Sequence, residues 1–160
     1  MAGKNMKAWI LGGVMVGLLL LGWTAVKQEG GEKQPLDIRL SPSDREVVAL
    51  GRKVYQAQCA ACHGANLEGQ PNWRERKPNG RLPAPPHDET GHTWHHPDAI
   101  LFALTKYGPA AVVGDESYQS DMPAYENLLT DREILATLSY IKSRWPEAIR
   151  QRHDGFSEGN

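Results

Sequence analysis

Residues 58–64 read Gln58-Cys59-Ala60-Ala61-Cys62-His63-Gly64, and both cysteines of the 160-residue chain lie in this stretch. Two thiols separated by two residues and followed at once by histidine suit covalent haem attachment. Each thiol adds to one vinyl group of the macrocycle, and the two-residue gap lets the pair span both positions. His63 then comes up under the iron, offering Nε2 to the metal and Nδ1–H to a backbone carbonyl that fixes tautomer and ring orientation. A thioredoxin-like redox pair would follow a strand, whereas helical periodicity precedes this motif. A structural zinc site needs four ligands; His92, His95 and His96 are available, but there is no second cysteine pair. A disulfide across so short a loop would contribute little.

Outward from the motif the pattern is helical. Upstream, Ser43-Asp44-Arg45-Glu46 has the form of a capping box, and Val47, Leu50, Gly51, Val54 and Tyr55 recur at helical spacing behind it. Downstream, a second helix is predicted from Pro97-Asp98 to Tyr107, with Gly108 as its C-cap. A third follows the capping box Thr130-Asp131-Arg132-Glu133, carries the stripe Ile134, Leu135, Leu138, Ile141 and Trp145, and is closed by Pro146. Strand signals are weak, and Val112-Val113 is too short to decide anything. Between the helices, Asn72 to His96 is rich in proline and shows little periodicity; a loop of this length in a compact domain is usually functional. The fold class is all-α. Residues 43–149 form the single globular domain, and Arg150 to Asn160 is a polar tail expected to fray.

A sixth ligand for iron is sought outside the motif. Three of the four methionines, Met1, Met6 and Met15, lie in the first fifteen residues, which leaves Met122 in the globular part. Met122 sits in Asp121-Met122-Pro123-Ala124-Tyr125, outside any helical stripe where methionine would be core filler. Pro123 biases it toward extended backbone, which can present the thioether inward. The competitors are His87, His92, His95, His96 and His153, the first four as partners in a bis-His centre. Trp94 and His95 are candidates to lie against the haem or to bond a propionate, against a plain role in packing the loop. Tyr125 is a candidate neighbour of Met122. Arg74, Arg76, Lys77 and Arg81 against Glu75 give a net +3 over residues 74–81, either a docking patch for an acidic partner or a solvated loop.

The N-terminus carries a different signal. Ala8 to Val26 is 19 residues without a charge, long enough as a helix to span roughly 28 Å of a ~30 Å hydrocarbon core. Trp9 and Trp23 flank it, and Lys4 and Lys7 precede it with no acidic residue. The expectation is an uncleaved transmembrane signal anchor (8–26), with residues 1–7 cytoplasmic and everything after Val26 outside. The alternative is a cleaved signal peptide, but its small-residue cleavage site is spoiled by the bulky Trp23. Residues 27–42 are polar and read as a flexible linker reaching ~20–25 Å.

Composition narrows the function. With 18 Lys+Arg against 19 Asp+Glu the net charge is -1, which argues against a nucleic-acid partner. No paired carboxylates and no Ser/His/Asp set are visible; Asp131 and Glu133 look like helix-capping residues.

Together these residues make the chain resemble the class I cytochromes c of the membrane-anchored bacterial mono-haem type. The resemblance covers roughly 43–149 and rests on Gly51-x-x-x-Tyr55, Cys59-Ala60-Ala61-Cys62-His63-Gly64, Met122-Pro123, and Tyr140-Ile141 with Trp145-Pro146. It implies three main helices around one covalent haem c, with long loops. It implies that the first and last helices cross near the haem edge, where Gly51 permits close approach and Leu138, Tyr140, Ile141 and Trp145 pack. It also implies that a proline carbonyl, from Pro83, Pro85 or Pro86, accepts the His63 Nδ1–H. The loop departs from the short Gly-Pro-x-Leu pattern of many family members and is longer and more basic.

The expected role is that of an electron carrier rather than an enzyme. Cys59 and Cys62 hold the haem, and His63 and Met122 bind iron in a pair that leaves no open site and raises the potential. The carrier would sit in the bacterial inner membrane with its haem domain periplasmic. It would move single electrons between respiratory-chain components, from a quinol-oxidising complex to a terminal oxidase or reductase. The alternatives are a permanent haem subunit of a larger oxidoreductase and a peroxidase-like or sensing haem.

Overall fold

The computed structural model describes residues 37–115 and 117–157. The apolar run Ala8–Val26 and most of the linker fall outside the described residues, as do residues 158–160 at the end of the tail. Among the described residues every regular element is helical, and no helix is long and apolar enough to cross a membrane.

Helix α1 (Arg45–Gln58) starts one residue later than a Ser43-led box would start it. Asp44 is the N-cap, and its Oδ1 accepts from the Glu46 and Val47 N–H groups at 2.9 and 3.1 Å. A carboxylate there satisfies orphan donors and faces the positive end of the helix dipole. Gly51, Val54 and Tyr55 form its buried face. After Cys59 the chain makes one further turn, α2 (Ala60–His63), which ends at Gly64 with φ 83°. A long excursion then leads, through a 3-10 turn at Thr93–His95, to α3 (Asp98–Tyr107). As expected, α3 stops at Gly108, whose φ is 83° and whose N–H donates to the Leu104 carbonyl. Helix α4 (Pro109–Val113), with proline in its first position, holds the Val112-Val113 pair that gave no clear signal.

Helix α5 (Asp131–Ser143) opens on the predicted reciprocal cap. The Thr130 N–H donates to Glu133 Oε2 at 2.9 Å, and the Glu133 N–H donates to Thr130 Oγ1 at 3.3 Å. α5 crosses α1 as the principal helix pair of the domain. The crossing is tight at Gly51, where a Cβ would stand 1.9 Å from the Ala136 carbonyl oxygen. Tyr55, Ile134, Leu138, Ile141 and Trp145 fill the core beside it, joined by Leu67, Trp94, Leu101 and Phe102.

Two segments differ from expectation. Helix α6 (Glu147–Ser157) occupies much of what reads as a frayed tail. Its His153 is fully buried and meets the Trp145 indole edge-on, with ring centroids 5.0 Å apart. Around it, Lys142 Nζ lies 2.5 Å from Asp154 Oδ1 and 3.9 Å from Asp98 Oδ1, while His153 Nε2 lies 3.5 Å from the same Asp98 oxygen. This buried polar cluster ties α6 to α3 and α5. The end of the linker is also fastened: the Leu40 N–H donates to Asp98 Oδ2 at 2.9 Å and the Ser41 N–H to Ser139 Oγ at 3.0 Å.

Candidate functional site

The site begins where α1 runs out. The Tyr55 hydroxyl, from a wholly buried ring, donates to the Gly64 carbonyl at 3.0 Å and thereby fastens the end of α2 to α1. Burial raises the Tyr55 phenol, so it stays a neutral donor. Cys59 and Cys62 are free thiols on consecutive turns, the first half-buried and the second exposed. Burial pushes the Cys59 thiol up to about 11.

His63 closes α2 and is 7% exposed. Its Nδ1 lies 2.9 Å from the Pro85 carbonyl oxygen, which selects one of the three prolines left open by the sequence. A carbonyl can only accept, so Nδ1 carries the proton and Nε2 keeps its lone pair. An imidazole in that tautomer, next to two unpaired thiols at haem-attachment spacing, fits the donor set that a c-type haem requires.

The loop that delivers Pro85 is laced without strands. His87 N–H donates to Leu67 O at 2.7 Å, Gln70 N–H to Ala84 O at 2.9 Å and Lys77 N–H to Arg81 O at 2.9 Å, one closure inside the next. Leu67 adopts a left-handed conformation, φ 74°, and is 2% exposed.

His87 stacks on His63, with ring centroids 3.9 Å apart and planes 19° from parallel. Rings face to face at that distance cannot stand on opposite faces of a porphyrin, so this geometry removes His87 as the ligand opposite His63. Burial and the neighbouring His63 hold His87 well below the usual imidazole range, so it is neutral.

Met122 is half-buried, and its N–H donates to Ser120 Oγ at 3.0 Å. Contacts on either side tie its segment to the end of α1 and to the 74–81 loop. Three residues on, the Tyr125 hydroxyl donates to the Gln58 carbonyl at 2.9 Å, immediately before Cys59. Burial pushes that phenol up to about 12, with the Cys59 and Cys62 thiols adding to the shift. One residue back, Asp121 takes Arg81 Nη1 at 2.5 Å on Oδ1 and Lys77 Nζ at 3.3 Å on Oδ2. A cleft of about 340 Å³, lined by Arg76, Asn79 and Gly80 on one side and Ser117, Tyr118 and Gln119 on the other, marks the same meeting of the two loops. The basic run 74–81 is therefore partly spent inside the molecule: Lys77 and Arg81 hold Asp121, and Arg76 donates to the Gly80 carbonyl.

Trp94 and His95 stack on each other with centroids 3.7 Å apart, and the Arg152 guanidinium of α6 lies 5.3 Å from the Trp94 ring centroid. The Trp94 indole N–H donates to the Glu89 carbonyl at 3.2 Å. These contacts join the loop to α6, in the manner of loop packing. His92 lies 4.7 Å from His96 and 5.2 Å from His95 between ring centroids, yet among the described residues no three His, Cys, Asp or Glu groups are placed to hold a metal ion.

Sequence reasoning passed over Asp121 as the clasp and His87 as a stacking partner. The acid–base match of Asp121 with the basic run was available in the sequence; the stack was not.

Residues 48–145, well over half of the chain, match the family model described as Cytochrome c. Neither the curated proteins nor the solved structures gave a match.

Proposed function

Because the chain belongs to the cytochrome c family, we propose that it is a membrane-anchored carrier of single electrons, with its haem held by Cys59 and Cys62 and ligated by His63 and Met122. Haem c, covalently bound, is the cofactor of this family, and Cys59 and Cys62 have the spacing for it. When bound, it supplies a one-electron iron couple.

The observation that carries the ligand assignment is the 2.9 Å contact from His63 Nδ1 to the Pro85 carbonyl. It turns the imidazole into a donor with one free lone pair and a fixed tautomer, as metal-binding histidines require. Met122 is the thioether whose chain neighbours are tied to the residue before Cys59, through Tyr125–Gln58, and to the loop beyond the motif, through Asp121–Arg81. A neutral His/Met pair favours ferrous iron and leaves no position for a small substrate. Leu67 and Trp145, each almost wholly buried, bond the His87 main chain, and the buried Tyr55 ring meets His87 edge-on.

The anchor is Ala8–Val26 and the haem domain lies on the periplasmic side of the inner membrane, a reading supported by the length of the run and by Lys4 and Lys7. Its partners on this reading are a quinol-oxidising complex as donor and a terminal oxidase or reductase as acceptor.

The test uses full-length protein in detergent. Intact mass gives one haem on an uncleaved chain, and the oxidised spectrum is low-spin with a thioether-to-iron charge-transfer band that Met122→Ala removes. High-spin ferric iron in the wild type overturns the ligand pair, and a chain shortened past Val26 overturns the anchor.

A further inference from the structure

His87 takes no part in holding haem or iron on the reading above, yet it is one of the most tightly placed side chains near the site. Its main chain is fixed from two directions. The N–H donates to the Leu67 carbonyl, and the carbonyl accepts the Trp145 indole N–H, both at 2.7 Å. Trp145 and Leu67 are each 2% exposed, so neither partner has room to shift. The ring lies parallel to His63 at 3.9 Å and has Tyr55 edge-on at 5.9 Å. Its Nδ1 is enclosed and has no hydrogen-bond partner.

An enclosed imidazole nitrogen without a partner is costly. An apolar side chain of similar volume would fill the space without that cost. His87 is half-buried overall, and what it offers His63 that an aliphatic side chain would not is a flat aromatic face. A single hydrogen bond, Nδ1 to the Pro85 carbonyl, limits how far the His63 ring can tilt but leaves it free to swing about the bond's own axis. A flat ring stacked on one face removes that swing. Pro85 and His87 stand two residues apart on one closed loop, so both restraints come from the same rigid piece.

We propose that His87 is a positioning residue that sets the plane of the His63 imidazole about its iron-bonding axis. The plane of an axial imidazole, together with the orientation of the thioether opposite it, would set which iron d orbital holds the unpaired electron of the ferric state. It therefore governs how spin density spreads over the porphyrin periphery, and with it the direction along which electrons leave most readily. This inference rests on His63 being an axial ligand.

The test compares His87→Phe with His87→Leu in full-length holoprotein. Both fill the space; only phenylalanine keeps a flat face against His63. The readouts are the order and spread of the hyperfine-shifted haem methyl resonances of the oxidised protein and the largest electron-paramagnetic-resonance g value. The expected result is a wild-type methyl order in His87→Phe, and a reordered or compressed set with a shifted g value in His87→Leu, while both stay low-spin. Identical patterns in the two variants and the wild type overturn the role of His87. A wild type lacking low-spin iron overturns the ligand reading itself, and the inference with it, so the two failures are told apart by the unmodified protein.

Discussion

Replacing Gly51 with alanine tests the architecture at its tightest point. The added Cβ would stand 1.9 Å from the Ala136 carbonyl oxygen, 2.4 Å from its carbon and 2.9 Å from the Thr137 nitrogen. All three are backbone atoms of α5, so no side chain can turn aside. Relief requires α1 and α5 to part by at least about 1 Å, a gap that forfeits a quarter to a half of each dispersion contact across the seam. Tyr55 and Ile134, both without measurable exposure, and Leu138 and Ile141 lie along that seam. Overpacking usually costs about 1–3 kcal/mol, and a rigid backbone-to-backbone clash belongs at or above the top of that range. A domain of this size has about 5–15 kcal/mol in total, so Gly51→Ala removes a large share of it. In a urea titration followed by far-ultraviolet circular dichroism, ~3 kcal/mol lowers the midpoint by roughly 1–3 M at unchanged slope. Gly155→Ala is the control. Gly155 lies in α6 with open space where its Cβ would go, and helix propensity predicts a gain of about 0.5–1 kcal/mol. A Gly51→Ala midpoint equal to that of wild type would refute the close crossing.

Two further perturbations probe the loops and α6. Asp121→Asn takes away the partner of Arg81 and Lys77; these pairs are solvent-accessible, so the global unfolding midpoint hardly moves, but the thioether-to-iron band fades at a lower temperature than in wild type as the Met122 segment loosens. His153 is held below the usual 6.5, first by burial and then by the Lys142 charge. The folded protein therefore resists a proton that the unfolded chain accepts. Its contribution is complete above pH 6.5 and is lost as the pH falls below that value. Urea midpoints measured from pH 8 to 5 should therefore decline less steeply in His153→Asn than in wild type, and parallel curves would exclude His153 as a source of the decline.

What the sequence discloses and what it hides follow from the range of the interactions. Thr130 and Glu133 cap α5 across three residues, and Gly108 ends α3 by its own backbone freedom; such signals are local and legible. So is the haem motif, because its chemistry depends on a fixed spacing. The choice of Pro85 over Pro83 and Pro86 depends on how a loop of more than thirty residues folds back on α2, which no local rule states. Helix α6 was hidden for a related reason. Its sequence is polar, and the group that secures it, His153, gains its place from Asp98, which lies far back along the chain. The basic run 74–81 looked like a free surface because its counter-charge, Asp121, lies forty residues on.

The nested closures of the loop after the haem motif bear on how this chain tolerates change in length. Leu67 with His87, Gln70 with Ala84 and Lys77 with Arg81 close in series, so each outer closure leaves a smaller entropy cost for the one inside it. Residues 78–80 form the outermost tip, and Gly80 has no neighbour within 4 Å of where its Cβ would stand. Additional residues spliced in at that tip would lengthen only the last and smallest ring. The base of the loop, where Pro85 and His87 face His63, is insulated from such edits by two intervening closures. The tip is accordingly the natural place for a reporter or an affinity handle.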